Sequence, residues 1–406
     1  MRFYQCACGQ PIYFDNSKCL SCTRMLGFCP ACRNLTALIP RDGGHFQCAR
    51  PQCGVQLAKC FNYAEYNVCN RCVTVPAEPG TLCDCCRYNA TIPDLNIAGN
   101  KQKWYRLEAA KRRLFYDLYH LGLPYGMAGD GIDPPLSFDF KADDIPKGDY
   151  WRGIGKAQQV YTGHANGRIT INIREADDVE RETLRVDLGE SQRTLIGHFR
   201  HEIGHFYWEM LVKGRREADC IRLFGDHNRP PYAEALDAFY KSGPPANWSE
   251  QYISAYATMH PWEDFAETWA TYLDMVSALD TAEHTGFGGE TDPVRAEVGV
   301  LVLRYQQLGM ALNEINRSMG LIDVVPEIFV QPVIAKLRFI PELVKQGRAE
   351  NGAIQAVNVT LQNAPLQSGA IHAPPRPTAS SAATSNANGT STRDFQRVAL
   401  PGRDDG

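Results

Sequence analysis

The sequence predicts an α+β protein built from a cysteine-rich N-terminal module, a mainly helical domain with a small sheet, and a disordered C-terminal tail. All but one of its fifteen cysteines lie in the first 86 residues. Helical apolar spacing begins near Asn100. The residues after Ala364 are rich in Ala, Ser, Thr and Pro without periodicity, which is typical of disorder. We therefore assign the module to residues 1–92, the helical domain to 100–348 and the tail to 364–406.

The composition is that of an ordinary soluble globular protein, with 44% hydrophobic and 22% charged residues. The formal net charge of −4 provides no general attraction to nucleic acids or anionic membranes. No apolar run reaches the roughly 18 residues that a membrane span requires. The first residues also lack the charged and apolar regions of a signal peptide. We therefore expect a cytoplasmic protein without a membrane partner.

The clustered cysteines are expected to bind zinc, because thiols in a reducing compartment hold metal more often than they form disulfides. Two sets of four have zinc-ribbon spacing, namely Cys6, Cys8, Cys19 and Cys22, then Cys29, Cys32, Cys48 and Cys53. For a third set, spacing alone favours Cys69, Cys72, Cys83 and Cys86. Such closed sites are structural and stabilise a module with few apolar residues. Zinc ribbons can bind protein, peptide or nucleic acid, and the sequence leaves this choice open.

The second domain contains a predicted strand and several predicted helices. Ile169, Ile171 and Ile173 alternate with polar residues, which predicts a strand with one buried face. We expect this strand to lie at an open edge, along which an extended peptide could bind. Pro261 suits the first position of a helix. The predicted helices are 191–213, 260–279, 293–318 and 328–346.

One segment of the first of these helices, GHFRHEIGHFYW, carries the residues of a zinc-protease signature. Residues four apart on a helix face the same way. His201 and His205 can therefore bind one zinc ion, with Glu202 beside them to accept a proton from bound water. The alternative is a surface helix whose histidines face solvent.

A catalytic zinc of this kind needs a third protein ligand and an open position for water. The segment HPWEDFAE supplies Glu263 and Glu267, four apart on the next helix. One can bind zinc, and the other can accept a hydrogen bond from a ligand histidine. The aromatic neighbours Trp262, Phe265 and Trp269 argue against two solvated glutamates on an exposed helix. Two facing helices with these residues describe the gluzincin arrangement. They predict one catalytic zinc in addition to two or three structural ones.

Several segments also carry a family resemblance: YTGHANGRITINIREAD, RTLIGHFRHEIGHFYW, FGD and SAYATMHPWEDFAETWATYL. They resemble the bacterial zinc-binding metallo-peptidases that have an N-terminal zinc ribbon. The likeness extends over most of residues 1–345, because RYNATIPDL and EAAKRRL also fit. It implies a zincin-like fold for the helical domain. The order of strand and helices resembles, in addition, the catalytic domain of anthrax lethal factor.

The resemblance implies roles for individual residues of the second helix. In lethal factor the first glutamate of EFFAE binds zinc, and the matching letters EDFAE make Glu263 the ligand and Glu267 the residue that supports a ligand histidine. A tyrosine seven residues before the ligand glutamate stabilises the reacting oxygen there, and Tyr256 occupies that position here. The alternative for Tyr256 is a tyrosine of the core.

The resemblance also bears on the third cysteine set. The family pattern implies Cys60, Cys69, Cys83 and Cys86, with Cys72 as the alternative to Cys60. Cys72 and Cys85 are then spare thiols, and His45 is a possible substitute ligand.

The chain departs from the family at three positions. His227 stands where an acidic residue is usual, and Thr271 and Asp274 replace two histidines. None of them is a predicted zinc ligand, but each can alter the cleft. His164, His198 and His260 lie near the motifs, and we interpret them as structural histidines.

Together these residues predict a peptidase. Zinc on His201, His205 and Glu263 would lower the pKa of its water, and Glu202 would act as general base. The alternatives are an adaptor that keeps the fold without turnover, and a nucleic-acid-binding protein in which the ribbons are the functional part. The intact set of ligands with Glu202 favours the peptidase.

Overall fold

The structure is a computed structural model, and it describes residues 1–143, 160, 162–187, 194–326 and 328–363. The predicted disordered tail, 364–406, lies outside the described residues. An α+β architecture is confirmed, with a cysteine-rich N-terminal region followed by a mainly helical region with a small sheet.

The cysteine-rich region is built from short strands and one short helix. They are β1 (Tyr4–Gln5), β2 (Pro11–Ile12), β3 (Leu26–Cys29), β4 (Asn34–Pro40), β5 (Phe46–Cys48), β6 (Gln56–Lys59), α1 (Phe61–Ala64) and β7 (Cys72–Thr74). The first two strands pair with each other, and β3 to β7 form an antiparallel sheet in chain order. Cys29 and Cys48 end two of these strands, and other cysteines of the sets lie in the turns between them.

The rest of the described chain forms a small sheet and long helices. They are β8 (Asn89–Thr91), α2 (Asn100–Leu121), β9 (Ser137–Lys141), β10 (Gly163–Ala165), β11 (Arg168–Asn172), α3 (Asp178–Asp187), α4 (Leu195–Tyr207), α5 (Glu217–Phe224), α6 (Tyr232–Ser242), α7 (Pro261–Thr285), α8 (Val298–Ser318) and α9 (Gln331–Asn363).

The strand predicted from alternating isoleucines is β11, and its Ile169 and Ile171 are fully buried. The expectation that it has an open edge is wrong. The strand order is β10, β11, β9, β8, so β11 pairs on both sides. Among the described residues, the strand at that end of the sheet is β10, which runs antiparallel to β11. Strand order depends on long-range pairing, which the alternation of one strand does not encode.

The two helices that carry the predicted site have clear local signals. Helix α4 begins after Thr194, whose hydroxyl accepts a hydrogen bond from the Gly197 amide at 3.0 Å. It continues into a π-helical turn over Trp208–Val212, so the regular helix ends earlier than predicted. Helix α7 has Pro261 at its first turn, as predicted, and ends at Gly286 in the left-handed conformation with φ of 78°.

One hydrophobic core extends through both regions. It includes Cys60 and Cys83 of the cysteine-rich region together with Trp104 of α2, Phe199 of α4 and Trp269 of α7. Strand β8, which begins three residues after Cys86, pairs with β9 and so joins the small sheet directly to the end of the cysteine-rich region. The two regions are therefore packed against each other through buried apolar side chains. Among the described residues, no helix combines the length and apolar composition that crossing a membrane requires.

Candidate active site and metal centres

Helices α4 and α7 approach closely at Gly204. A Cβ atom on Gly204 would lie 3.0 Å from the Cα atom of Ala266 and 3.2 Å from its carbonyl oxygen. Only a residue without a side chain allows this approach without a shift of one helix. Because Gly204 precedes His205 directly, the contact brings the face of α4 with the predicted ligands next to the first turns of α7.

Three predicted ligand side chains meet between these helices. The Nε2 atom of His201 lies 3.1 Å from Nε2 of His205 and 2.9 Å from Oε2 of Glu263. The same oxygen lies 3.6 Å from Nε2 of His205. All three side chains are buried, and their donor atoms lie within 4.8 Å of one another. Two imidazole nitrogens and one carboxylate oxygen are the donors of a three-ligand zinc site, so the residues fit this metal.

Glu202 follows His201 directly in α4, and its side chain is buried. Its Oε2 atom has no hydrogen-bond partner among the described residues. A buried carboxylate oxygen without a partner is costly in a purely structural role. A group that exchanges protons with water needs an oxygen free to accept them, and the role of Glu202 as general base stays a prediction.

Glu267 supports His201 from the opposite side of the imidazole ring. Its Oε1 atom lies 2.7 Å from Nδ1 of His201, and its Oε2 accepts a hydrogen bond from the Ser254 hydroxyl at 2.7 Å. This contact leaves Nε2 of His201 directed toward His205 and Glu263. An imidazole that is held through one nitrogen presents the other to a metal in a defined direction.

The electrostatics of the site favour a positive charge. Burial disfavours a charged His201, but its hydrogen bonds with Glu263 and Glu267 outweigh burial and raise the pKa of His201 well above its ordinary value. Burial alone would raise the pKa of Glu263, but His205 and His201 hold it well below its usual range. Glu263 and Glu267 therefore keep their negative charges although Glu263 is buried and Glu267 is half-buried. These two charges would also attract a divalent cation.

Two aromatic residues contact the predicted ligands, although the sequence did not predict either as a site residue. The Tyr232 hydroxyl, from α6, donates a hydrogen bond to Oε1 of Glu263 at 2.7 Å. The Trp262 ring packs on the His205 imidazole, with ring centroids 3.7 Å apart. Tyr232 lies 31 residues before Glu263 in the chain and belongs to no motif, so no local signal pointed to it. Trp262 adjoins Glu263 in the sequence, which was the available signal for it.

Tyr256 lies near the site. Its ring centroid is 6.1 Å from that of His201 and 5.8 Å from that of Phe239, which it meets edge-on. This position is compatible with the predicted contact to a reacting oxygen and also with the core alternative. The role of Tyr256 stays a prediction.

The neighbouring histidines have structural contacts. His260 caps α7, because its Nδ1 accepts a hydrogen bond from the Trp262 amide at 3.1 Å. His164 accepts one from the Gly167 amide at 3.0 Å in the turn between β10 and β11. His198 lies 3.3 Å from a carboxylate oxygen of Glu175.

The departures from the family pattern lie around the site. Asp274 forms an ion pair with the buried Arg200. The Thr271 hydroxyl donates a hydrogen bond to the carbonyl oxygen of Glu267 within the same helix. His227 packs on Trp208, with ring centroids 4.8 Å apart. Among the described residues, none of the three joins a group of metal ligands.

The first two cysteine sets are assembled as predicted. One set consists of Cys6, Cys8, Cys19 and Cys22, and the other of Cys29, Cys32, Cys48 and Cys53. Facing Sγ atoms lie 3.6 and 3.8 Å apart in the first set and 3.8 Å apart in the second. A tetrahedral zinc with bonds of about 2.3 Å holds its sulfurs about 3.8 Å apart, whereas a disulfide requires about 2.05 Å. The geometry therefore fits zinc.

The third set contains the cysteines that the family resemblance implies, namely Cys60, Cys69, Cys83 and Cys86. The alternative ligand Cys72 lies in β7 against Gly27 and does not join the group. His45 and Cys85 also remain outside it. Spacing favoured Cys72 because it lies three residues after Cys69, but in the structure Cys72 pairs with Lys59 of β6 and its sulfur is not one of the four that converge.

Comparisons with known proteins agree with this arrangement. Residues 100–343 match the family described as "Putative zinc-binding metallo-peptidase", and residues 3–97 match a zinc-ribbon domain. An uncharacterized protein of Mycobacterium bovis is 38% identical over 359 residues, which are 85% of this chain and 96% of that protein. Uncharacterized proteins of two Mycobacterium tuberculosis strains show the same identity and coverage. No solved structure matches the chain, and the likeness to lethal factor stays a prediction. The chain belongs to the zinc-binding metallo-peptidase family and carries an N-terminal zinc-ribbon domain.

Proposed function

We propose that the protein is a zinc-dependent peptidase, with the metal on His201, His205 and Glu263 and with Glu202 as general base. The observation that carries this proposal is the convergence of the three donor atoms within 4.8 Å, beside a buried carboxylate with an unpartnered oxygen. The family to which the chain belongs supports the reaction class.

We propose a separate role for each residue of the site. Zinc, when bound, supplies a Lewis acid that polarises the substrate carbonyl and lowers the pKa of water. Glu202 accepts a proton from the attacking water and returns it to the leaving amine. Glu267 holds the orientation of His201 through Nδ1. Tyr256 is the residue that we propose to contact the oxyanion.

The proposed substrate is an extended peptide. His164 of β10 packs beside His205, with ring centroids 6.4 Å apart, so this strand runs next to the ligand face of α4. A peptide can pair with a strand at the end of a sheet through main-chain hydrogen bonds. The position of β10 therefore supports a peptide that binds across the site in extended form.

We further propose three structural zinc ions on the cysteine sets, in addition to the catalytic one. The fifteen cysteines, all of them among the described residues, form no disulfide, and a cysteine binds zinc through a reduced thiolate sulfur. This requirement is the support for a cytoplasmic location. Protein, peptide or nucleic acid on the ribbon surface is a further proposal, on which the peptidase activity does not depend.

The test is a comparison of wild type with Glu202→Gln on a broad peptide library. The amide cannot accept the proton of water, so turnover should fall by at least about a hundredfold while zinc content stays constant. Glu209→Gln is the matched control, because it makes the same change one turn beyond His205 and should leave turnover unchanged.

Two results would count against the proposal. If Glu202→Gln cleaves as fast as wild type, the activity belongs to other residues. If the wild-type protein with its full zinc content cleaves none of the library, the adaptor alternative is favoured.

A further inference from the structure

The two carboxylate oxygens of Glu263 have different partners. Oε2 lies 2.9 Å from the His201 imidazole and 3.6 Å from that of His205. Oε1 lies 2.7 Å from the Tyr232 hydroxyl, which donates to it. A carboxylate can bind a metal through one oxygen or through both. Here the second oxygen is already held by a neutral donor.

Tyr232 is itself held in place. It is the first residue of α6, and its ring packs edge-on against His260 at 5.3 Å and Trp262 at 5.8 Å between centroids. These two residues flank the start of the helix that carries Glu263. The ring is thus held by its neighbours, and the hydroxyl reaches a carboxylate that is fully buried.

We propose, on the basis of the proposed zinc site, that Tyr232 is a positioning residue that keeps Glu263 a one-oxygen ligand. The hydroxyl binds Oε1 and leaves Oε2 for the metal. This arrangement keeps the number of protein donor atoms at three, and so keeps a coordination position open for water and substrate. A hydrogen-bond partner of this kind also strengthens metal binding, and its loss typically costs about ten- to a hundredfold in affinity.

The test uses the full-length chain with Tyr232→Phe, which keeps the ring and its packing and removes only the hydroxyl. The control is Tyr240→Phe on the same helix, at a residue that is 37% exposed. Each protein is loaded with zinc and titrated with a competing chelator. In a second measurement Co²⁺ replaces zinc, and the difference in visible absorption between each protein and its His205→Ala form, which cancels the cysteine sets, reports the coordination number at the site.

We expect Tyr232→Phe to release one metal per chain at about ten- to a hundredfold lower chelator concentration than wild type. We also expect a weaker visible Co²⁺ band. Without the hydroxyl, Glu263 can bind through both oxygens, and the higher coordination number that results weakens the absorption. Tyr240→Phe should match wild type in both measurements. Equal chelator resistance and an unchanged Co²⁺ spectrum in Tyr232→Phe would overturn the inference.

His205→Ala separates this inference from the proposed site. If His205→Ala lowers the zinc content by one per chain and Tyr232→Phe behaves as wild type, only the role of Tyr232 fails. If His205→Ala keeps the wild-type zinc content, the ligand assignment fails, and the inference falls with it.

Discussion

Two neighbouring glutamates illustrate how surroundings divide roles between identical side chains. Glu202 and Glu263 are both buried within the same group of residues. Glu263 faces two imidazoles and a phenol. Glu202 has an oxygen without a partner among the described residues. The first arrangement suits a metal ligand and the second a proton acceptor.

This contrast predicts opposite effects of the same substitution. Glu263→Gln removes the charge that faces the two imidazoles, so the protein should lose about one zinc per chain after dialysis against a mild chelator. Glu202→Gln is the matched control and should keep its zinc. Metal content measured by mass spectrometry decides the point, and full retention of zinc in Glu263→Gln would contradict the ligand assignment.

At the scale of elements, the site depends on the distance between α4 and α7. The ligands come from different helices, and Gly204 permits the close approach. Helix α7 is fastened at its start by Lys336 of α9, which donates to Asp264 at 2.6 Å while both side chains are buried. The position of Glu263 thus results from packing on both sides of its helix.

Gly204→Ala should push the two helices apart, because its Cβ would lie 3.0 Å from the backbone of Ala266. Overpacking of this kind costs about 1–3 kcal/mol of stability. We expect weaker zinc binding to accompany it, because the donor atoms separate. Gly352→Ala in α9 is the control, since its Cβ would meet nothing within 4 Å. That variant should be neutral or stabilising by up to about 1 kcal/mol.

Thermal unfolding and chelator titration of both variants measure the two effects. If Gly204→Ala is as stable as wild type and retains as much zinc, the helices can relax without disturbing the site.

At the scale of the whole molecule, the third cysteine set lies in the same core as α4 and α7, the helices that carry the candidate site. Cys86 is next to Glu108 of α2, with Sγ 3.8 Å from Oε2. Glu108 is fully buried, forms an ion pair with the fully buried Lys111 at 3.0 Å and accepts a hydrogen bond from Trp104 at 3.0 Å. The first cysteine set, by contrast, packs in a separate small cluster.

Disruption of the third cysteine set should therefore affect the helices more than disruption of the first set. Cys83→Ser should lower the thermal stability of the helices as well as that of the ribbon, because it loosens the shared core. Cys19→Ser should unfold the first ribbon and leave most helical circular dichroism unchanged. Hydrogen exchange of α2 and α7 distinguishes the two outcomes, and equal protection of α2 in both variants would contradict the coupling.

Much of the candidate site was predictable from local patterns. Spacing of four places His201 and His205 on one face of a helix, and does the same for Glu263 and Glu267, because a helix repeats every 3.6 residues. Alternation predicted the buried face of β11, and Pro261 predicted the start of α7. Cysteine spacing identified the first two sets, because closely spaced thiols come from one turn.

Tertiary structure decided what depends on residues far apart in the chain. The Tyr232 hydroxyl reaches Glu263 across 31 residues. Strand order placed β11 inside the sheet, against the expectation of an open edge. Cys60 joined the third set instead of Cys72, as the family resemblance and not the spacing implied. Periodicity records which face of an element is buried, but the partner on that face is chosen only when the whole chain packs.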